Sequence, residues 1–268
     1  MRYSITQDSH IGGRRLNEDS VGHVSTERSL LLVVADGMGG HPKGEVASKL
    51  AMGMVFDLFR AKAQPELPDV ALFLQDALMQ ANEALVRYAR TEGLSDSPRT
   101  TLVAAVIQDG RITWIHCGDS RFYLLRDGAV FAKTLDHSLL ERDRQLGRPP
   151  ASQLPGYRNA LFTCIGSETR PVFNLAGPVA LRGGDRVLLC SDGIWSVVED
   201  ANLAHALLGK KIKQAVPQLV QQAIRRGGPN GDNASCIALA WGDEDDFLPT
   251  RRHDFAASHG HGRAIGRA

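Results

Sequence analysis

The stretch Leu31-Leu32-Val33-Val34-Ala35-Asp36-Gly37-Met38-Gly39-Gly40-His41 runs apolar residues straight into a lone carboxylate and a glycine-rich turn. The apolar run reads as a buried strand. A carboxylate at the mouth of a core strand must be solvated, hydrogen-bonded or bound to a cation. Gly37, Gly39 and Gly40 let the backbone turn sharply and leave carbonyls close to whatever Asp36 holds, which glycine does without steric penalty. Taken alone, the run also fits an ordinary strand that ends in an Asp-Gly turn.

The construction recurs. Val187-Leu188-Leu189-Cys190-Ser191-Asp192-Gly193 is a second apolar strand ending on Asp-Gly, and Ile112-Thr113-Trp114-Ile115-His116-Cys117-Gly118-Asp119-Ser120 is a third ending on an Asp beside Gly. Asn17-Glu18-Asp19 and Gly231-Asp232-Asn233 add acidic points next to strand-like segments. If these strand ends gather at one end of a sheet structure, metal ions are what holds so much negative charge together. An oxygen-only donor set suits Mg²⁺ or Mn²⁺ and argues against Zn²⁺ or copper.

Asn17-Glu18-Asp19, Asp36-Gly37-Met38-Gly39-Gly40, Gly118-Asp119-Ser120-Arg121, Asp136-His137-Ser138, Ser191-Asp192-Gly193 and Asp232-Asn233 stand in a particular order and rough spacing. In both respects the chain resembles the metal-dependent type 2C serine/threonine protein phosphatases, in particular their compact bacterial members. The resemblance runs from about Tyr3 to Trp241. It implies an α+β fold, a four-layer α-β-β-α sandwich of two antiparallel sheets flanked by helix pairs. It also implies metal-dependent hydrolysis of phosphoserine and phosphothreonine in proteins, by a water activated between two ions, Mn²⁺ or Mg²⁺, with a weaker third. The partners so implied are phosphoproteins and a cognate eukaryotic-like Ser/Thr kinase. The alternative of another class is a catalytically inactive member of the fold that binds phosphoproteins without hydrolysing them.

Carried over residue by residue, the resemblance makes Asp36 the carboxylate that bridges both ions, with the Gly37 carbonyl on one of them. Asp192 and Asp232 hold the other, and Glu18 and Asp19 complete the shell directly or through water. Asp119, with Asp192, matches the position that recruits the third ion, and Asn233 orients Asp232 from behind. Arg14 stands where the family places the arginine that clamps the substrate phosphate, since a planar guanidinium grips two phosphate oxygens at once. Met38 replaces the His that many eukaryotic relatives use to protonate the leaving alkoxide, and a thioether donates no proton. A metal-bound water then serves as the acid, with His41 and His137 as the side-chain alternatives. The segment from Gly147 through Arg148 to Arg158 is rich in Pro, Gly, Ser and Gln and reads as a mobile surface loop. The resemblance places the family's variable substrate flap there. Arg99-Thr100-Thr101 departs from the family's Gly-Thr-Thr and puts the local turn in question.

Elsewhere, Gly44 to Arg60 and Val70 to about Glu92 carry apolar residues at four-residue spacing and read as helices. Four strand-like runs between Thr100 and Lys133 are punctuated by Asp109-Gly110, Gly118-Asp119 and Asp127-Gly128, as in antiparallel hairpins. Strands are also expected at Tyr3 to Gln7, Asp19 to Val24, Val172 to Leu175, Asp185 to Cys190 and Asn233 to Trp241, with helices at Glu199 to Leu208 and Ile212 to Arg226.

With 268 residues, 43% hydrophobic and 23% charged, the chain has the composition of a globular protein with a sizeable core. No Pro/Gly/Ser-rich linker interrupts it up to Trp241, so residues 1–241 are expected as one catalytic domain. The acidic and then His-, Arg- and Gly-rich residues 242–268, with His253, His259 and His261, read as a disordered tail. A net charge of +1 leaves no footprint for nucleic acid or an anionic membrane. Cys117, Cys164, Cys190 and Cys236 lie in apolar surroundings and read as reduced core residues of a cytoplasmic protein, expected as a monomer. The start lacks a signal-peptide apolar region.

Two rival motifs fail on their surroundings. Cys164 to Arg170 fits Cys-x5-Arg, but that chemistry needs a thiolate at a helix N-terminus, and Pro171-Val172-Phe173 reads as strand. Gly39 to Gly44 has P-loop spacing, but Glu45 stands where a Lys is required.

Overall fold

The computed structural model describes residues 1–39, 43–149, 157 and 160–242. Its strands are β1 (Tyr3–His10), β2 (Asp19–Ser25), β3 (Ser29–Asp36), β4 (Leu102–Gln108), β5 (Arg111–Cys117), β6 (Arg121–Arg126), β7 (Ala129–Lys133), β8 (Asn174–Ala180), β9 (Arg186–Cys190) and β10 (Ala234–Trp241). Its α-helices are α1 (Gly44–Lys62), α2 (Val70–Thr91), α3 (Leu139–Gln145), α4 (Asp192–Trp195), α5 (Asp200–Leu208) and α6 (Ile212–Gly227). The strands form two antiparallel sheets, in the orders β1-β10-β9-β6-β7 and β2-β3-β4-β5-β8.

The apolar run in β3 is continuous because both of its faces are covered. Leu30, Leu32 and Val34 point into the cluster between the sheets, while Leu31, Val33 and Ala35 point into the cluster beneath α1 and α2. Side chains on a strand alternate in this way with a period of two. On the other sheet, Leu188, Cys190, Cys236 and Ala238 meet α5 and α6, while Val187, Leu189, Ile237 and Leu239 face inward. Three apolar layers therefore hold four layers of structure together, at roughly 1.5–3 kcal/mol for each large side chain buried. The α-β-β-α sandwich expected from the sequence is the fold observed.

Antiparallel pairing then gathers the acidic strand ends. Asp36 closes β3 directly opposite Asp19, which opens β2. The end of β9 meets the start of β10, with Cys190 paired to Cys236, and the start of β6, with Arg121 paired to the same Cys190. The end of β1 meets the start of β10, with His10 opposite Ala234. The turns that carry Glu18, Asp119, Asp192 and Asp232 thus lie at one end of the sandwich. Asp36 continues the parity of Leu30, Leu32 and Val34, so it faces the space between the sheets.

The structure corrects some expectations. The strand expected over Val172 to Leu175 begins instead at Asn174 and runs to Ala180. Its weak apolar pattern and Pro178 conceal it, and an edge position tolerates a residue without a ladder N–H. The one-turn α4 was not anticipated, being too short to show periodicity. The Arg99-Thr100-Thr101 turn is kept: Thr100 bridges both Gly37 and Ile165. Arg148 and Gly147 follow α3, where the Arg148 N–H donates to the Asp143 carbonyl at 2.9 Å. Most of the expected flap, including Arg158, and residues 243–268 lie outside the described residues, as does His41.

Candidate metal centre

Asp36 is fixed from its backbone outward. Its N–H donates to Thr101 Oγ1 at 3.0 Å, and its carbonyl accepts from the Thr101 N–H and the Thr100 hydroxyl, both at 2.8 Å. The next residue can only be glycine, because a Cβ on Gly37 would lie 2.3 Å from the Gly44 carbonyl oxygen. The Gly37 N–H donates to the Glu18 carbonyl at 3.1 Å and ties β3 to the segment before β2.

The Asp19 carboxylate is buried at 7% exposure. Its Oδ2 accepts from the Ser191 hydroxyl at 2.8 Å, a contact 172 residues apart in sequence. Its Oδ1 is buried and has no hydrogen-bond partner among the described residues. Leaving a buried carboxylate oxygen unpaired is costly, so this atom marks a position where a ligand belongs.

The acidic residues act on one another. Burial, then the charges of Asp19, Asp192, Asp119 and Asp232, hold the Asp36 carboxyl well above the usual carboxylate range. Burial, then Asp119, Asp232 and Asp19, do the same to Asp192. Burial pushes Asp19 up to about 6 against the hydrogen bonds from Ser235 and Ser191. Burial and then Asp136 push Asp119 up to about 7. Glu18 is raised by burial and by Glu45, with Arg14 opposing. Such mutual elevation at one place is the electrostatic signature of a functional cluster.

The charges of Asp19 and Asp192 both act on Asp36, so the carboxyls oppose one another's ionisation. Among the described residues no group of three or more His, Cys, Asp or Glu side chains is drawn together tightly enough to hold an ion as it stands. The donor chemistry nevertheless fits a hard divalent cation: the clustered groups are carboxylates, and among the described residues the Asp19 Oδ1 lacks a partner.

Arg14 stands at the rim, with Nη2 donating to Asp232 Oδ2 at 2.6 Å and the side chain 53% exposed. The loop that carries it packs against the Asp232 backbone through Gly12, whose φ is +63° and whose added Cβ would lie 2.0 Å from the Asp232 carbonyl oxygen. Asn233 differs from expectation. Its backbone N–H, not its side chain, holds Asp232 Oδ1 at 2.8 Å. Its side-chain amide instead donates to the Ile11 and Leu16 carbonyls at 2.7 and 2.9 Å and accepts from the Glu18 N–H at 2.8 Å. It therefore shapes the Arg14 loop.

His137 is not drawn into the cluster as a proton donor. It is 4% exposed, its Nδ1 accepts from the Gly118 N–H at 3.1 Å, and its Nε2 lies 2.6 Å from Asn174 Oδ1. Burial also lowers its pKa, so it braces the Asp119 turn as a neutral ring. Cys164 is buried, with its thiol pKa pushed up by that burial, and the residues after it form no helix. The thiolate-phosphatase reading is thereby removed. Sequence reasoning quoted Ser191 and Thr101 within motifs without giving them tasks and passed over Trp195; their contacts to Asp19, Asp36 and Asp119 come from distant parts of the chain.

The family model for protein phosphatase 2C matches residues 6–231. The chain is 32% identical over 250 residues to the serine/threonine protein phosphatase PstP of Mycobacterium tuberculosis, covering 91% of this chain and 46% of PstP. It thus spans about half the length of that relative. The solved catalytic domain of a PstP phosphatase in complex with two manganese ions superposes with a TM-score of 0.71 at 32% identity, covering 89% of this chain and 97% of that one. Serine/threonine phosphatase Stp1 of Staphylococcus aureus superposes with a TM-score of 0.80 at 26% identity, over 90% and 95% of the respective chains. Strand order, the position of the acidic turns and this match over most of the chain agree, and the protein belongs to the protein phosphatase 2C family.

Proposed function

We propose that the protein hydrolyses phosphoserine and phosphothreonine esters in proteins, with divalent cations, Mn²⁺ or Mg²⁺, held by Asp36, the Gly37 carbonyl, Asp192 and Asp232. Asp19 and Glu18 complete that shell, and Asp119 with Asp192 serves a weaker ion. The observation that carries the reading is the crowding of Asp19, Asp36, Asp119 and Asp192, each held above the ordinary carboxylate range, around an Asp19 oxygen with no partner. Two manganese ions in the related PstP domain support it. When bound, such ions supply positive charge for the phosphoryl oxygens and acidify a water that attacks phosphorus.

The chain's own residues do the rest. Asp36, fixed by Thr100 and Thr101, presents its carboxylate at a constant height in the cleft. Arg14 stands at the rim where a phosphate would enter, its guanidinium now paired with Asp232, a carboxylate that would hold a cation. The Asn233 clamp on the Ile11 and Leu16 carbonyls keeps that arginine oriented. Met38 follows Asp36-Gly37, and its thioether has no proton to give the leaving oxygen. The full set of acidic side chains counts against an inactive phosphoprotein-binding role. A eukaryotic-like Ser/Thr kinase as the opposing enzyme is proposed from the family resemblance.

The test is turnover of p-nitrophenyl phosphate and of a phosphothreonine peptide with and without Mn²⁺. Activity that requires Mn²⁺, is abolished by chelator and is lost in a folded Asp36→Asn variant supports the reading. Hydrolysis that persists in chelator overturns it.

A further inference from the structure

The one-turn helix α4 carries Asp192 at its first residue and Trp195 at its last. The Trp195 indole N–H donates to the Asp119 carbonyl oxygen at 2.9 Å. The Arg121 guanidinium lies 3.6 Å from the centroid of the same indole. Arg121 is itself held in a fork by Asp136, with Nε to Oδ1 at 2.7 Å and Nη2 to Oδ2 at 2.8 Å. Its Nη1 donates to the Tyr123 hydroxyl at 3.1 Å, which donates in turn to Asp200 at 3.0 Å.

The other side of the Asp119 turn is held by His137. Its backbone N–H donates to the Gly118 carbonyl at 3.0 Å, and its ring accepts from the Gly118 N–H at 3.1 Å. Asp136 and His137 immediately precede Ser138, whose hydroxyl caps α3 by accepting from the Glu141 N–H. The segment that opens α3 therefore grips Asp119 from behind and, through Arg121, steadies the indole that grips it from the front.

We propose that Trp195 is a positioning residue whose indole ties the Asp119 backbone to the helix turn bearing Asp192, with the Asp136–Arg121 pair fixing the indole, so that this brace sets the separation of the two carboxylates. The inference rests on the cation-binding reading above. An anionic pair converges on a divalent ion only if its backbones are held against mutual repulsion, and a hydrogen bond between the two turns does this directly. The indole contacts the Asp119 carbonyl and not its carboxylate, so it acts on cation affinity through geometry.

The test is calorimetric titration of the metal-free full chain with Mn²⁺, for wild type, Trp195→Phe and Arg121→Lys. Trp195→Phe keeps an aromatic face under Arg121 and removes the N–H. Losing one net hydrogen bond of about 1 kcal/mol corresponds to roughly a fivefold change in affinity. We expect the weaker Mn²⁺ site to lose affinity by about that factor in Trp195→Phe, and the half-activating Mn²⁺ concentration to rise in parallel. Arg121→Lys, which loses the fork, is expected to move in the same direction. The double variant is expected to fall short of the product of the two single effects, because both act through one brace. If Trp195→Phe does not fold, Arg121→Lys and the ¹⁵N-labelled Trp195 indole of wild type decide instead: the indole resonance shifts as Mg²⁺ fills the weaker site. A folded Trp195→Phe with wild-type Mn²⁺ affinity, or an indole resonance indifferent to Mg²⁺, overturns the brace alone. Wild type that takes up no Mn²⁺ overturns the cation reading as well.

Discussion

Asp19 and Asp36 stand directly opposite each other across the β2–β3 ladder, and the Asp19 charge raises the Asp36 pKa. Like charges directly opposite on a ladder destabilise it, and Asp19 is also buried, which raises the cost of ionising it. The fold tolerates the strain at the one end where the turns of both sheets meet. A hard divalent cation there would offset that repulsion.

Asp36→Asn separates function from stability. Removing a carboxylate that holds the cations costs several kcal/mol of transition-state stabilisation, or about 10³-fold or more in kcat/KM. It also relieves repulsion in the metal-free state, so the melting temperature in chelator is expected to rise by a few degrees, roughly 2–4 °C per kcal/mol at this size. Parallel p-nitrophenyl phosphate assays and thermal melts check both arms. A variant that is inactive and also less stable in chelator contradicts the electrostatic account.

The pH dependence of the metal-free protein has a definite sign. A carboxyl held above its unfolded value stabilises the fold at low pH and loses that contribution as the pH rises through its folded value. Asp19 and Asp119 are pushed up to about 6 and about 7. Melting temperature in chelator is therefore expected to fall between about pH 5 and pH 8. Saturating Mn²⁺ flattens or reverses the trend, since cations bind the deprotonated groups. The same slope with and without Mn²⁺ contradicts it.

Arg14→Lys keeps the charge and loses the planar fork. We expect kcat/KM on a phosphothreonine peptide to fall by about tenfold or more, the scale of one charge-assisted hydrogen bond, with Mn²⁺ affinity unchanged. Steady-state kinetics and Mn²⁺ titration separate the two. An unchanged kcat/KM removes Arg14 from phosphate recognition.

Asn233→Ala leaves the Ile11 and Leu16 carbonyls and the Glu18 N–H without the partner they have now. Ile11 and Leu16 are exposed, so the expected cost is about 0.5–1.5 kcal/mol of stability for each hydrogen bond lost, together with a raised KM. Urea unfolding and kinetics measure these. A stable variant with normal KM shows that the clamp does not shape the Arg14 loop.

The fold was legible in the sequence wherever burial is two-sided. Leu31 to Ala35 and Val187 to Cys190 are apolar without a break because a sheet or helix layer lies on each face. The Asp-Gly turns at their ends then located most of the acidic cluster. The destination of side chains that bridge distant segments was not legible: Asn233 reaches Ile11, 222 residues away, and Ser191 reaches Asp19. The role of His137, offered only as an alternative to water as the acid, was illegible for a related reason. A His beside an acidic motif looks like a proton donor until Gly118 and Asn174 are seen to occupy both of its nitrogens. Strand β8 was placed two residues early and cut short because its own residues, Asn174 to Ala180, are mostly half-buried or exposed.

The most direct measurement is the number of Mn²⁺ ions bound by the metal-free full chain, by calorimetric titration, in wild type and Asp36→Asn. The account expects at least two ions per wild-type chain, with uptake sharply reduced in the folded variant. A wild-type chain that takes up no Mn²⁺ at millimolar concentration, or a folded Asp36→Asn that binds as wild type does, contradicts it.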